Sequence, residues 1–201
     1  MNNTIGIIGG SYNPIGIHHL IIGQTIINDL QLKKIIYVPV SDKYEKKCLK
    51  ENVTELHRIE MLKLAIKSND KFELNLVEII NKEKQLKTID TLQILSKQYS
   101  SNVALIIGSD NLIELPTWYK AETLLKKYKI IVVSRGTNNI QMIINSNRIL
   151  KHYKNSITEV NVVNTDISST LIRNNIKNNK SIDYLTPPEV IEYIYENSLY
   201  K

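Results

Sequence analysis

Apolar and polar positions fall into alternating blocks along this chain of 201 residues. Residues 4–8 form a short apolar run and predict a buried strand. Residues 18–30 follow with helical period, placing Leu20, Ile21, Ile27 and Leu30 on one side. Ile35-Ile36-Tyr37-Val38-Pro39-Val40 predicts a second strand, closed by its proline. A charged loop, Ser41 to Asn52, leads to a helix from about Thr54 in which Leu56, Ile59, Leu62 and Ile66 recur at helical spacing. Phe72, Leu74 and Leu76 alternate as in a strand, and Thr88 or Asp90 is placed to cap a helix running to about Tyr99.

Val103-Ala104-Leu105-Ile106-Ile107 predicts a central strand ending in Gly108-Ser109-Asp110. Beyond it the pattern gives a helix from Pro116 to about Lys127, a strand over 130–133, a helix near 140–150 and a weaker strand at 159–163. Thr186-Pro187-Pro188-Glu189 has the form of a capping box with prolines in the first turn, and predicts a closing helix. Strands alternating with helices define an α/β chain with a doubly wound parallel sheet and C-terminal helices. No repeat or long linker divides it, so a single domain over 1–201 is expected.

Composition narrows the function. The chain is 42% hydrophobic and 23% charged, ordinary for a globular protein. No apolar run approaches about 18 residues, so no membrane span is expected. The start, Met1-Asn2-Asn3-Thr4, lacks a basic leader. A lone cysteine, Cys48, rules out an internal disulfide and a cysteine metal cluster, and fits a cytoplasmic protein. The net charge of +6 is scattered rather than gathered into a stripe, which favours small anionic substrates over nucleic acid. The composition leaves a homo-oligomer open.

Two clusters carry the chemistry. In the first, the strand ends in Gly9-Gly10, a Ser11-Tyr12-Asn13-Pro14 turn follows, and His18-His19 opens a helix. Glycines that admit close approach, followed by a helix N-terminus, suit a phosphate, and an imidazole there can meet the charge that develops in nucleotidyl transfer. In the second, Asp166-Ile167-Ser168-Ser169-Thr170-Leu171-Ile172-Arg173 sets hydroxyls at a helix start with an arginine one turn on, again a phosphate cradle. Gly9 to His19, Gly108 to Asp110 and Ser134-Arg135 all follow predicted strands, where doubly wound sheets bind ligands. The dinucleotide glycine fingerprint and the Walker A pattern are absent, which disfavours a dehydrogenase or a P-loop ATPase.

Taken together, Gly-Gly-Ser-Tyr-Asn-Pro…His and Ile-Ser-Ser-Thr-x-Ile-Arg resemble the nucleotidyltransferase superfamily and its Rossmann-like fold. More narrowly, the chain is similar to the nicotinate or nicotinamide mononucleotide adenylyltransferases. Lys87-Thr88-Ile89-Asp90-Thr91-Leu92 and Leu115-Pro116-Thr117-Trp118-Tyr119 look like the bacterial-type, nicotinate-preferring branch. Pro39-Val40-Ser41-Asp42-Lys43-Tyr44, with Lys46 and Lys47, looks closer to the eukaryotic branch. The chain departs from the bacterial His-x-Gly-His pattern in reading Gly16-Ile17-His18-His19, so His19 matches the second histidine and Gly16 stands at the first.

The resemblance implies transfer of AMP from ATP to nicotinate mononucleotide, giving nicotinate adenine dinucleotide and pyrophosphate, with Mg²⁺ arriving on ATP and no fixed metal site. It implies His19 as the catalytic residue. ATP would contact Gly9, Gly10, Ser11, Tyr12, His19, Gly108, Asp110, Arg135, Ile167, Ser168, Ser169 and Arg173. Asn13, Lys43, Thr88, Trp118 and Tyr119 would serve the nicotinate nucleotide, and Arg58 is a weaker candidate. A dual-specificity or nicotinamide enzyme, a phosphopantetheine adenylyltransferase and a silent nucleotide binder stay open as alternatives.

Overall fold

Continuous apolar runs signal strands covered on both faces, and the computed structural model has that arrangement. It describes residues 1–42, 53–81, 85–134 and 139–201. β1 (Thr4–Gly10), β2 (Lys34–Pro39), β3 (Phe72–Leu74), β4 (Asn102–Gly108), β5 (Lys129–Ser134) and β6 (Ile157–Asn161) form one parallel sheet in the order β3-β2-β1-β4-β5-β6. The order reverses between β1 and β4, and the carboxyl ends of those two strands bound a crevice.

Side-chain alternation divides the core in two. Ile8, Ile35, Tyr37, Ala104, Ile106 and Ile131 face one way. They meet α1 (Ile17–Leu30), α2 (Glu55–Ile66), α9 (Ser169–Lys177) and α10 (Pro188–Glu196) through Ile26, Leu62, Ile172 and Val190. Ile7, Val38, Val103, Leu105, Ile107 and Val132 face the other way. That face is covered by α3 (Val77–Ile80), α4 (Thr88–Tyr99), α5 (Ser109–Glu114), α6 (Ala121–Lys127), α7 (Ile140–Ser146) and α8 (Arg148–His152), through residues such as Leu92, Leu112, Leu124 and Ile140.

Several elements differ from the sequence reading, each for a local reason. Leu56 is 75% exposed although it fits a helical period. It lies six residues before Leu62, about 120° round the helix from it. Arg58, Met61 and Ala65 complete the buried stripe instead. β3 stops at Leu74 because Asn75 Oδ1 accepts from the Val77 N–H at 3.0 Å and turns the chain into α3. The helix placed after Pro116 begins earlier, as α5 directly off β4, and breaks at a 3₁₀ turn over Leu115–Thr117. Asn147 divides the 140–150 segment by accepting from the Ile149 and Leu150 N–H groups. β6 ends at Asn161, two residues short of the expected strand end. Thr186 does not cap α10: Pro187 is the cap residue, and the Thr186 hydroxyl donates elsewhere.

Candidate active site

A cavity of about 910 Å³ fills the crevice at the carboxyl ends of β1 and β4. Gly9, His19, Ile167 and Ser168 line it from the β1 and α9 side. Thr88, Thr91, Glu78 and Trp118 line it from the α3–α4 side, and Gly108 and Asp110 from the end of β4. The starts of α1 and α9 both contribute, so two positive dipole ends belong to its wall.

His19 is oriented by the backbone. Its Nδ1 accepts from the Gly16 N–H at 3.1 Å. A neutral imidazole that accepts at Nδ1 carries its proton on Nε2, so the ring keeps a donor for the cavity it lines. His18 is buried behind it, with ring centroids 3.8 Å apart and planes at 38°. A Cβ at Gly16 would lie 2.7 Å from His18 Nδ1 and 3.1 Å from Ile172 Cδ1. The His18 ring therefore takes the space into which a side chain at position 16 would grow, and it does not line the cavity.

The two adjacent glycines do different work. A Cβ on Gly10 would meet the Tyr12 ring at 2.9 Å, so glycine is required there by the protein's own packing. A Cβ on Gly9 would meet nothing within 4 Å. Among the described residues no atom asks for glycine at position 9, and its bare backbone lines the cavity. Tyr12 adopts a left-handed backbone (φ 45°), is buried, and donates its hydroxyl to Ile8 O at 2.7 Å. Burial, with the neighbouring Tyr37 and Glu78, pushes its phenol well above the ordinary range. Tyr12 is a neutral packing residue against the edge of His19, and it does not line the cavity.

The turn after Gly10 is fastened by residues distant in sequence. Arg173 Nη1 donates to Asn13 O at 2.8 Å, Ser169 Oγ to Pro14 O at 2.7 Å and Thr186 Oγ1 to Ile15 O at 2.7 Å. The Ile17 N–H donates to Leu185 O at 2.9 Å, and Tyr200 Oη to Asn13 Oδ1 at 2.5 Å. Arg58, fully buried, holds the strand ends below: it donates to Ser11 O at 2.6 Å, Val40 O at 2.7 Å and the Asp42 carboxylate at 2.8 Å. Buried carbonyls need donors, and these side chains supply them. So Asn13, Ser169 and Arg173, read from the sequence as substrate contacts, do not line the cavity. They build the turn that does. Gly10 and Ser11 likewise lie outside the cavity wall.

On the opposite side Trp118 is half-buried against the second core cluster, and Thr88 opens α4. Asp90 Oδ2 accepts from the Lys87 N–H at 3.1 Å, so of the two cap candidates it is Asp90 that closes the helix start, while Thr88 lines the cavity. Tyr119, the next residue after Trp118, points outward beneath the Lys120 ammonium and is 53% exposed. Glu78 and Thr91 escaped the sequence reading: Thr91 Oγ1 donates to Glu78 Oε1 at 2.9 Å, and both line the cavity. Only the α4 register, Thr88 to Thr91 on one face, could have pointed to Thr91. At the end of β4, a Cβ on Gly108 would stand 2.4 Å from Asp110 Oδ1, so the exposed carboxylate folds back over bare backbone. Lys43, Lys46, Lys47 and Arg135 lie outside the described residues. Among the described residues no group of three or more His, Cys, Asp or Glu side chains is assembled for a metal ion, and no helix is long and apolar enough to cross a membrane.

The parallel sheet carries a histidine and two helix starts around its switch-point crevice, and the cytidylyltransferase-like family model, which matches residues 7–175, places the chain among the nucleotidyltransferases. The chain belongs to that family, among its nicotinate-nucleotide adenylyltransferases. It is 40% identical over 197 residues to the probable nicotinate-nucleotide adenylyltransferase of Caldicellulosiruptor bescii, covering 98% of each chain. It is 34% identical over 199 residues to the nicotinate-nucleotide adenylyltransferase of Bacillus subtilis, again covering 98% of each. Among solved structures, the nicotinic acid mononucleotide adenylyltransferase of Plasmodium falciparum complexed with NaAD superposes with a TM-score of 0.78, covering 98% of this chain and 97% of that one. At 22% identity that likeness concerns the fold.

Proposed function

We propose that the chain transfers the adenylyl group of ATP to the 5′-phosphate of nicotinate mononucleotide, releasing pyrophosphate. The observation that carries the reading is one cavity whose wall joins a backbone-oriented histidine and bare Gly9 to an indole and two threonine hydroxyls.

An oxygen of the acceptor phosphate attacks the α-phosphorus of ATP; the new P–O bond forms as the bond to the α,β-bridging oxygen breaks, and pyrophosphate leaves. A phosphate monoester has a second pKa of about 6, so the nucleophile is already ionised at neutral pH and no general base is required. Catalysis then rests on alignment and charge stabilisation. His19 Nε2–H donates to the charge growing on the α-phosphate. The N-terminal end of α9, with Ser168, holds the neighbouring phosphates, and the dipole of α1 adds its positive end. Gly9 gives the room for close approach, and Asp110 accepts from a ribose hydroxyl. Mg²⁺ enters as part of the ATP substrate, offsetting phosphate charge. Trp118 stacks on the pyridinium ring, a cation–π pairing, with Thr88 and Thr91 beside it.

The test is pyrophosphate release from ATP with nicotinate mononucleotide, nicotinamide mononucleotide and phosphopantetheine as acceptors. The expected result is turnover with the nicotinate form at least about tenfold more efficient than with the amide, because mispaired donors at the ring substituent cost about 1–3 kcal/mol. Trp118→Ala should weaken both pyridine nucleotides and leave their ratio nearly unchanged, since the indole meets the ring and not its substituent. Turnover with phosphopantetheine alone, or with none of the three, would overturn the proposal.

A further inference from the structure

The hydrogen bond that orients His19 belongs to a peptide unit with a second fastening. The Gly16 N–H, which donates to His19 Nδ1, and the Ile15 carbonyl, which accepts from Thr186 Oγ1, are the two ends of the same peptide group. A peptide group is planar, with its C=O and N–H pointing opposite ways. Fixing the oxygen fixes the direction of the N–H. Thr186 is 2% exposed, and its hydroxyl reaches Ile15 O across 171 positions of sequence.

We infer that Thr186 is a positioning residue for catalysis: through the Ile15–Gly16 peptide plane it holds the Gly16 N–H on His19 Nδ1 and so selects the tautomer with the proton on Nε2. Thr186 lies outside the cavity wall. The neighbouring bonds to the turn, from Arg173 and Ser169, hold the Asn13 and Pro14 carbonyls and leave this plane to Thr186 alone among the bonds described.

The inference rests on His19 serving as the donor to the reacting phosphate, so its test has one arm that needs no substrate. Long-range ¹H–¹⁵N correlation of the histidine rings, with the His19 signals assigned by their loss in His19→Ala, reads the tautomer directly. In the wild type His19 should carry its proton on Nε2 only. Finding Nδ1–H there overturns the inference before any variant is made. Thr186→Val, nearly isosteric but without the donor, should give a mixture of His19 tautomers. Its kcat should fall in proportion to the Nε2–H fraction lost, about twofold for an even mixture, with the KM for ATP near wild type, because the ring stays in place but presents the wrong nitrogen for part of the time. Thr186→Ser keeps the hydroxyl and should restore both the single tautomer and most of the turnover. A lower melting temperature in Thr186→Val with an unchanged tautomer and kcat would reduce Thr186 to a structural residue, and a loss in Thr186→Ser, which keeps the hydroxyl, as large as that in Thr186→Val would overturn the inference. Normal turnover in His19→Ala would leave the activity standing but remove His19 from the chemistry, and with it the premise of the inference, while the tautomer measurement would still judge the peptide-plane argument.

Discussion

The two sides of the cavity are built by different means. On the β1 side, the peptide groups from Asn13 to Ile17 are tied down one after another, mostly by donors from residues 169–200 or by Leu185 O. On the α4 side, Thr88 and Trp118 are placed by helix and turn geometry and by apolar packing, with Thr91 and Glu78 bonded to each other. The contrast fits the roles proposed for the two sides. Charge developing on phosphorus rewards donors held at fixed positions in advance. A flat ring rewards a flat surface, and packing alone supplies one.

The largest expected effect comes from breaking the fastened side at its reacting end. His19→Ala should lower kcat by roughly 10²-fold or more while ATP affinity stays near wild type. Steady-state pyrophosphate release combined with ATP-binding calorimetry separates the two, and wild-type turnover would remove His19 from the chemistry.

A middle effect sharpens the comparison within two adjacent residues. Gly10→Ala drives a methyl into the buried Tyr12 ring and should cost about 1–3 kcal/mol of stability. Gly9→Ala meets no protein atom and should leave the urea midpoint where it was, yet raise the KM for ATP by about tenfold or more through a clash of about 1.4 kcal/mol with the substrate. Equal stability losses in both would mean that Gly9 is structural as well.

The smallest effect belongs to the far end of α4. Tyr99, its last residue, donates its hydroxyl to Glu73, and Lys34 pairs with the same carboxylate at 2.5 Å. Burial pushes the Glu73 carboxyl up, but the Lys34 ammonium and the Tyr99 hydroxyl outweigh it and hold the group below its ordinary value. A carboxyl with a lowered folded pKa lends stability above its unfolded pKa and gives it up as pH falls through the folded value. Lys34→Met should therefore cost about 0.3 kcal/mol near neutral pH, small because both partners are partly solvated, and the cost should fade in acid. Urea midpoints at neutral and acidic pH check this; an identical deficit at both would assign it to packing.

Strands were legible in the sequence to within a residue or two, because β1, β2, β4 and β5 are buried on both faces and read as unbroken apolar runs. Helix boundaries were less legible where one polar side chain decides them, as Asn75 and Asn147 do. Gly9, His19, Ser168, Thr88 and Trp118 were legible as cavity residues because they sit at strand ends and helix starts. Arg173, Ser169 and Thr186 were not. A hydroxyl or guanidinium near a phosphate-binding turn has the same spelling whether its partner is a ligand or the chain's own carbonyl, and only the fold tells which carbonyls are buried.

The fastening of the turn by residues 169–200 also sets an order of events in time. The Asn13–Tyr200 and Pro14–Ser169 bonds span 187 and 155 positions. Contacts this distant in sequence close late, after the loops between them have been ordered. A chain made from its N-terminus at about 5–20 residues per second carries residues 13–19 for some ten seconds or more before Thr186 and Tyr200 exist to hold them. During synthesis, then, the histidine is present but not yet aimed, and nucleotide chemistry begins only once the last elements have docked.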